Sequence, residues 1–140
     1  AWDRINSSIK NKSYFEAVTL EESIISDRLI SYLSGVNSLP KKNSFSDLIN
    51  SWKKKHSELI SFPNKKIDNH FITNLQEEVD KWRLKRNQII HNLVRSNLDL
   101  NEFLSLANKT AEEGAILARA VSTWHRSQLK KYVKSKSNNH

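Results

Sequence analysis

Arg86, Asn87 and His91 stand together in the run Arg-Asn-Gln-Ile-Ile-His, and each brings its own chemistry. A guanidinium presents N–H donors in a planar fork that grips a carboxylate or a phosphate through paired bonds. An imidazole titrates near neutral pH and can give or take a proton, while a carboxamide can orient either neighbour. Lys81, Arg83, Lys85 and Arg95 surround the run, and no acid occurs between positions 81 and 95. Such a stretch is a local basic field suited to a phosphate backbone.

The placement of Arg86 is as informative as its type. At about 100° per residue, positions 75, 79, 82, 86, 89 and 93 share one side of a helix, where Arg86 interrupts Leu75, Val79, Trp82, Ile89 and Leu93. A guanidinium in an apolar stripe costs on the order of several kcal/mol unless it is paired or opens onto a solvated groove. An earlier stripe through positions 14, 15, 18, 22, 25, 29 and 32 has a matching lapse at Glu22. If the two helices face each other, Glu22 can accept a charge-assisted bond from Arg86, fixing the guanidinium while leaving some donors free. The alternative is a buried salt bridge that only sets register. His91 lies about 140° from Arg86 on an ideal helix, so the two cannot both point at the core. They flank a groove, or meet the same residues of a second copy across a two-fold interface. His125 falls on an apolar stripe and reads as packed or interfacial, His56 as a partly buried imidazole, and Arg119 as a solvated charge.

The elements that must position these groups are helices. The chain has 140 residues, two Gly, two Pro and no Cys, which is enough for one domain and leaves little punctuation for a sandwich or barrel. The same counts exclude a glycine-rich nucleotide loop, a thiol nucleophile and a disulfide framework. Ser13 with Glu16 opens a helix that Gly35 stops, and Ser44 with Asp47 opens a second that ends at Phe62-Pro63-Asn64. A third runs from Asp68 or Asn69 to about Arg95, and Asp99 with Glu102 caps a fourth that reaches Tyr132. These predict an all-α, antiparallel bundle of four main helices with a short extra N-terminal helix. It forms a single domain over 1–140 with an ordered core over about 13–132 and a basic polar tail over 133–140. A net charge of +8 favours polyanionic partners. No run approaches a membrane span, and AWDRINSSIK has no apolar signal-peptide core, so the expectation is a cytoplasmic protein with no membrane partner.

At Arg86, Asn87 and His91 the sequence resembles the HEPN superfamily, small all-α domains whose ribonuclease members carry Arg, a polar residue that is often Asn, three more residues and His. The helix order and the acid at Glu22 look like that family too. The resemblance covers about residues 13 to 132 as architecture and six residues as motif. It implies a homodimer in which two motifs form one composite, metal-independent RNA-cleaving groove, with no cofactor. In the related HepT-type toxins a Tyr that a partner nucleotidyltransferase modifies stands two positions after the His; here that position is Leu93, which departs from the pattern. The resemblance further implies a toxin or phage-defence effector, with an antitoxin or another defence protein as partner.

RNA supplies its own nucleophile, the 2′-OH, so cleavage requires a base, an acid for the leaving oxygen, and positive charge for the developing phosphorane. His91 fits the acid or base, Arg86 the non-bridging oxygens, and Asn87 the orientation of His91 or a phosphate oxygen. Glu22 would orient Arg86, and Lys81, Arg83, Lys85 and Arg95 would hold the backbone. No Asp, Glu and His set stands at metal-ligand spacing in the sequence. The competing reading is a non-catalytic helical module that binds RNA or protein, with Arg86 and Glu22 as a structural pair.

Overall fold

The computed structural model describes residues 2–10, 13–60, 69–95 and 100–137. All of these except Ser13 and 36–44 are helical: α1 (Trp2–Lys10), α2 (Tyr14–Gly35), α3 (Phe45–Ile60), α4 (Asn69–Arg95) and α5 (Leu100–Ser137). The all-α class and the short leading helix are as the sequence predicts. No strand occurs among the described residues.

Local chemistry explains the boundaries. The Ser44 hydroxyl accepts the Asp47 amide at 3.1 Å and donates to the Asp47 carboxylate at 2.6 Å, closing the start of α3. Ser13 precedes α2 but makes no side-chain cap; its backbone stands at φ −89° and ψ 62°, and the Glu16 carboxylate pairs with Arg4 of α1 at 2.9 Å. Gly35 ends α2 without a left-handed backbone; Asn37 takes that conformation two residues later, at φ 56°. The Ser38 amide then reaches the Leu33 carbonyl at 2.8 Å and the Asn37 amide the Ser34 carbonyl at 3.2 Å, the paired bonds of a Schellman turn. Helix α5 continues through Ser137, five residues past the expected end, since Val133–Ser137 holds neither Pro nor Gly to stop it. Expected termini at Phe62-Pro63-Asn64, Ser96-Asn97 and Asp99 lie outside the described residues.

The contacts fix the helix directions. Phe15 stacks on Phe103, Glu21 meets Gly114, and Tyr32 packs edge-on against Trp124, so α2 and α5 run the same way. Arg86 touches both Glu22 and Phe45, while Tyr32 and Val36 share a cavity wall with Trp52 and Leu59, which makes α3 parallel to α2. Phe45 against Trp82 and Gln76 against Trp52 make α4 antiparallel to α3. Helix α4 also opposes α5, since Trp82 meets Thr110 while Ile72 shares the cavity wall with Trp124. The simple up-and-down order expected from short connections therefore holds for the last three helices and not for α2 and α3. Residues 36–44 are long enough when extended, at about 3.3 Å per residue, to return the chain to the other end of α2.

The core lies between α2, α3, α4 and α5, around fully buried Trp52 and Trp82 with Ile25, Leu29, Leu48 and Val121. Trp82 donates its indole N–H to the Thr110 carbonyl at 2.8 Å. A Cβ on Gly114 would stand 2.2 Å from a Glu21 carboxyl oxygen and 2.6 Å from the Trp82 ring. Gly114 is thus a point where side chains of α2 and α4 press directly on the α5 backbone, leaving no room for a methyl group.

Candidate functional site

The step of four residues from Trp82 puts Arg86 on the inner side of α4, facing α2. Its Nε donates to Glu22 Oε2 at 3.0 Å, and its Nη2 donates to Glu22 Oε1 in a two-point fork. The third nitrogen, Nη1, donates to Asn87 Oδ1. The guanidinium carbon stands 6.0 Å from the centroid of the Phe45 ring, so an aromatic face backs the cation. Both side chains of the ion pair keep about a fifth of their surface, 20% and 23%, in contact with solvent. One N–H on each terminal nitrogen of Arg86 remains beyond these three bonds.

The pairing of Glu22 with Arg86, read from two stripes 64 residues apart, is present in the structure. Asn87 is turned toward Arg86 rather than toward His91. His91 is exposed, on the outer side of α4, and Leu84, two turns earlier on that side, is half-exposed at 53%. Within one chain Arg86 and His91 therefore do not converge. Ile90, beside Arg86 on the inner side, is 48% exposed, because α3 begins only at Phe45 and leaves this end of α4 uncovered.

Three of the four surrounding cations, Lys81, Arg83 and Lys85, are partnered in the fold. Lys81 lies 3.7 Å from Glu78, Arg83 pairs with Asp80 at 3.0 Å, and Lys85 reaches Glu113 of α5 at 2.9 Å. Lys53 joins Asp80 at 2.7 Å, and these bonds from Lys53 and Arg83 hold the Asp80 carboxyl below its ordinary range. The acid-free stretch in the sequence thus receives its acids from the preceding turn and from a neighbouring helix. Arg95 closes α4, and its side chain lies outside the described residues.

The acid that the sequence stripe missed is Glu21. It is fully buried, and neither carboxyl oxygen has a hydrogen-bond partner among the described residues. Burial pushes the Glu21 carboxyl from its ordinary 4.5 up to about 9, so it is protonated at neutral pH. It fits the spacing Val18, Glu21, Ile25, Leu29, which was the available signal. Of the other histidines, His125 is packed, with Nε2 3.0 Å from Ser31 Oγ, and His56 is buried. Arg119 is exposed, with its guanidinium 5.1 Å from the Trp2 ring. Among the described residues no three His, Asp or Glu side chains gather as metal ligands, and no helix is long and apolar enough to cross a membrane.

No protein-family model, no curated protein and no solved structure matches the chain.

Proposed function

We propose that the chain is an endoribonuclease of the HEPN type, working as a homodimer whose two copies of Arg86, Asn87 and His91 line one groove. The observation that supports this reading best is the fork of Arg86 on Glu22, with Asn87 on the third nitrogen and a solvent edge left open. A cation held this way keeps its charge and orientation while two N–H bonds point beyond the pair, the arrangement a phosphate oxygen needs. His91 stands exposed on the outer side of the same helix, so the reading needs a second copy to complete the groove, each copy giving one imidazole.

In this mechanism one His91 removes the proton of the 2′-OH as O2′ bonds to phosphorus. The partner subunit's His91 protonates O5′ as the phosphorus–O5′ bond breaks. Arg86 stabilises the charge that grows on the non-bridging oxygens, and Glu22 and Asn87 act as positioning residues for it. The products are a 2′,3′-cyclic phosphate and a 5′-hydroxyl. The chemistry draws its nucleophile from RNA and its proton transfer from imidazole, so it proceeds without metal or cofactor. Lys81, Arg83, Lys85 and Arg95 guide the RNA backbone toward the groove. The biological setting is a toxin–antitoxin or phage-defence system in the cytoplasm, with an antitoxin or another defence protein as the controlling partner.

One observation favours the second reading, a helical module that binds RNA or protein without cutting it: Lys81, Arg83 and Lys85 already have acidic partners within the fold. The two readings separate when single-stranded RNA is incubated with the protein in EDTA. Fragments ending in 2′,3′-cyclic phosphate are expected, and binding with intact RNA would favour the non-catalytic module.

A further inference from the structure

A second concavity lies at the opposite end of α2 from Tyr14, nine residues of helix beyond Glu22. It is about 620 Å³ and is enclosed by α2, α3 and α5, with Ile72 of α4 contributing to its wall. That volume is within the range of small-molecule sites. Its walls are aromatic and aliphatic: Tyr32, Trp52 and Trp124 form a contiguous ring cluster, with centroids 4.7 Å apart for Tyr32 and Trp124 and 5.0 Å for Trp52 and Trp124. Leu59 and Leu129 extend this surface, and Leu129 is 48% exposed at the mouth.

The polar groups of the wall are sparse and one-sided. Lys131 is the only formally charged side chain lining it among the described residues, and no carboxylate lines it. Burial, with the nearby charge of Arg28, holds the His125 imidazole below its ordinary range. A largely apolar chamber whose one charged lining side chain among the described residues is Lys131 is complementary to a molecule with an apolar body and a single anionic end.

We propose that this cavity is a binding site for a small amphipathic carboxylate, its apolar body against Tyr32, Trp124 and Leu129 and its carboxylate at Lys131. The site is separate from the Arg86 groove and does not depend on its chemistry.

The test uses the full chain, titrated with decanoate and followed by tryptophan fluorescence and calorimetry, with 1-decanol as the neutral counterpart and decyltrimethylammonium as the cationic one. Saturable one-to-one binding of decanoate is expected, stronger than that of either counterpart. Lys131→Glu, an exposed change that leaves the core intact, should weaken decanoate by about fivefold or more, the scale of a partly exposed charge pair, and leave decanol unchanged. Near-UV circular dichroism of the variant checks that the tryptophan packing persists. Absence of saturable decanoate binding to the unmodified chain would overturn the proposal, as would equal affinity for the carboxylate and the ammonium. Equal weakening of decanoate and decanol by Lys131→Glu would also count against it, because Lys131 would then be shaping the cavity and not selecting the charge.

Discussion

Glu21 and Glu22 are adjacent acids with opposite roles. Glu22 is half-buried and ionically paired, whereas Glu21 is sealed beside Gly114 and Trp82 and keeps its proton. The helical period pointed to an acid on the inner side of α2 and to its partner Arg86. It could not divide the burial between two neighbours about 100° apart, because the centre of the buried side falls between them. The acids that neutralise Lys85 and Lys53 were also out of reach of sequence reasoning, since they sit 28 and 27 positions away on other helices. Glu21 has a measurable consequence. The folded chain holds its proton up to about pH 9 while the unfolded chain releases it above about 4.5. Its contribution is therefore fully present below about pH 4.5 and is lost as pH rises toward 9. Glu21→Gln removes this titration, and its unfolding free energy should fall less between pH 5 and 9 than that of the unmodified chain. The difference at pH 7, referenced to pH 4, is on the order of 3 kcal/mol. Parallel pH profiles for the two chains in urea unfolding would show that Glu21 does not titrate as its burial implies.

At the scale of the elements, the start of α3 was legible, because Ser44 with Asp47 is a local signal. Direction was not legible. A connection of nine residues can either turn back at once or run the length of a helix, and nothing in 36–44 decides between them; the packing of Tyr32 and Trp52 against Trp124 does. The capping pair at Ser13 did not form either: its hydroxyl makes no cap and the Glu16 carboxylate pairs with Arg4 of α1. Gly114 shows how an element can defy its own propensity. Alanine in the middle of α5 would gain about 1 kcal/mol of helix propensity. Its methyl group would meet the Trp82 ring and Glu21 in a fully buried junction, and overpacking of that kind costs about 1–3 kcal/mol. The close approach should win, so Gly114→Ala is expected to lower stability in chemical unfolding. A variant as stable as the unmodified chain or more so would mean that α2 and α4 do not press on α5 at this point.

For the whole molecule, the net charge of +8 first reads as an undivided attraction to polyanions. The fold redistributes it. Cations of central α4 are matched by acids, while Lys131 of α5 lines the aromatic cavity with no carboxylate beside it among the described lining residues. The uncovered end of α4, with Ile90 and Leu84 exposed and His91 turned outward, is the part of the surface that a second copy would complete. In the proposed enzyme the specific activity should fall on dilution in step with the dimer fraction measured by sedimentation. Constant specific activity in a strictly monomeric solution would contradict a shared groove. The most direct measurement compares the unmodified chain with His91→Ala on the same single-stranded RNA in EDTA, with the new 3′ ends identified and the fold checked by circular dichroism. Cleavage to 2′,3′-cyclic phosphate by the unmodified chain, lost in a folded His91→Ala variant, is the expected result; equal cleavage by both, or by neither, would contradict the assignment of His91 as the proton-transfer group.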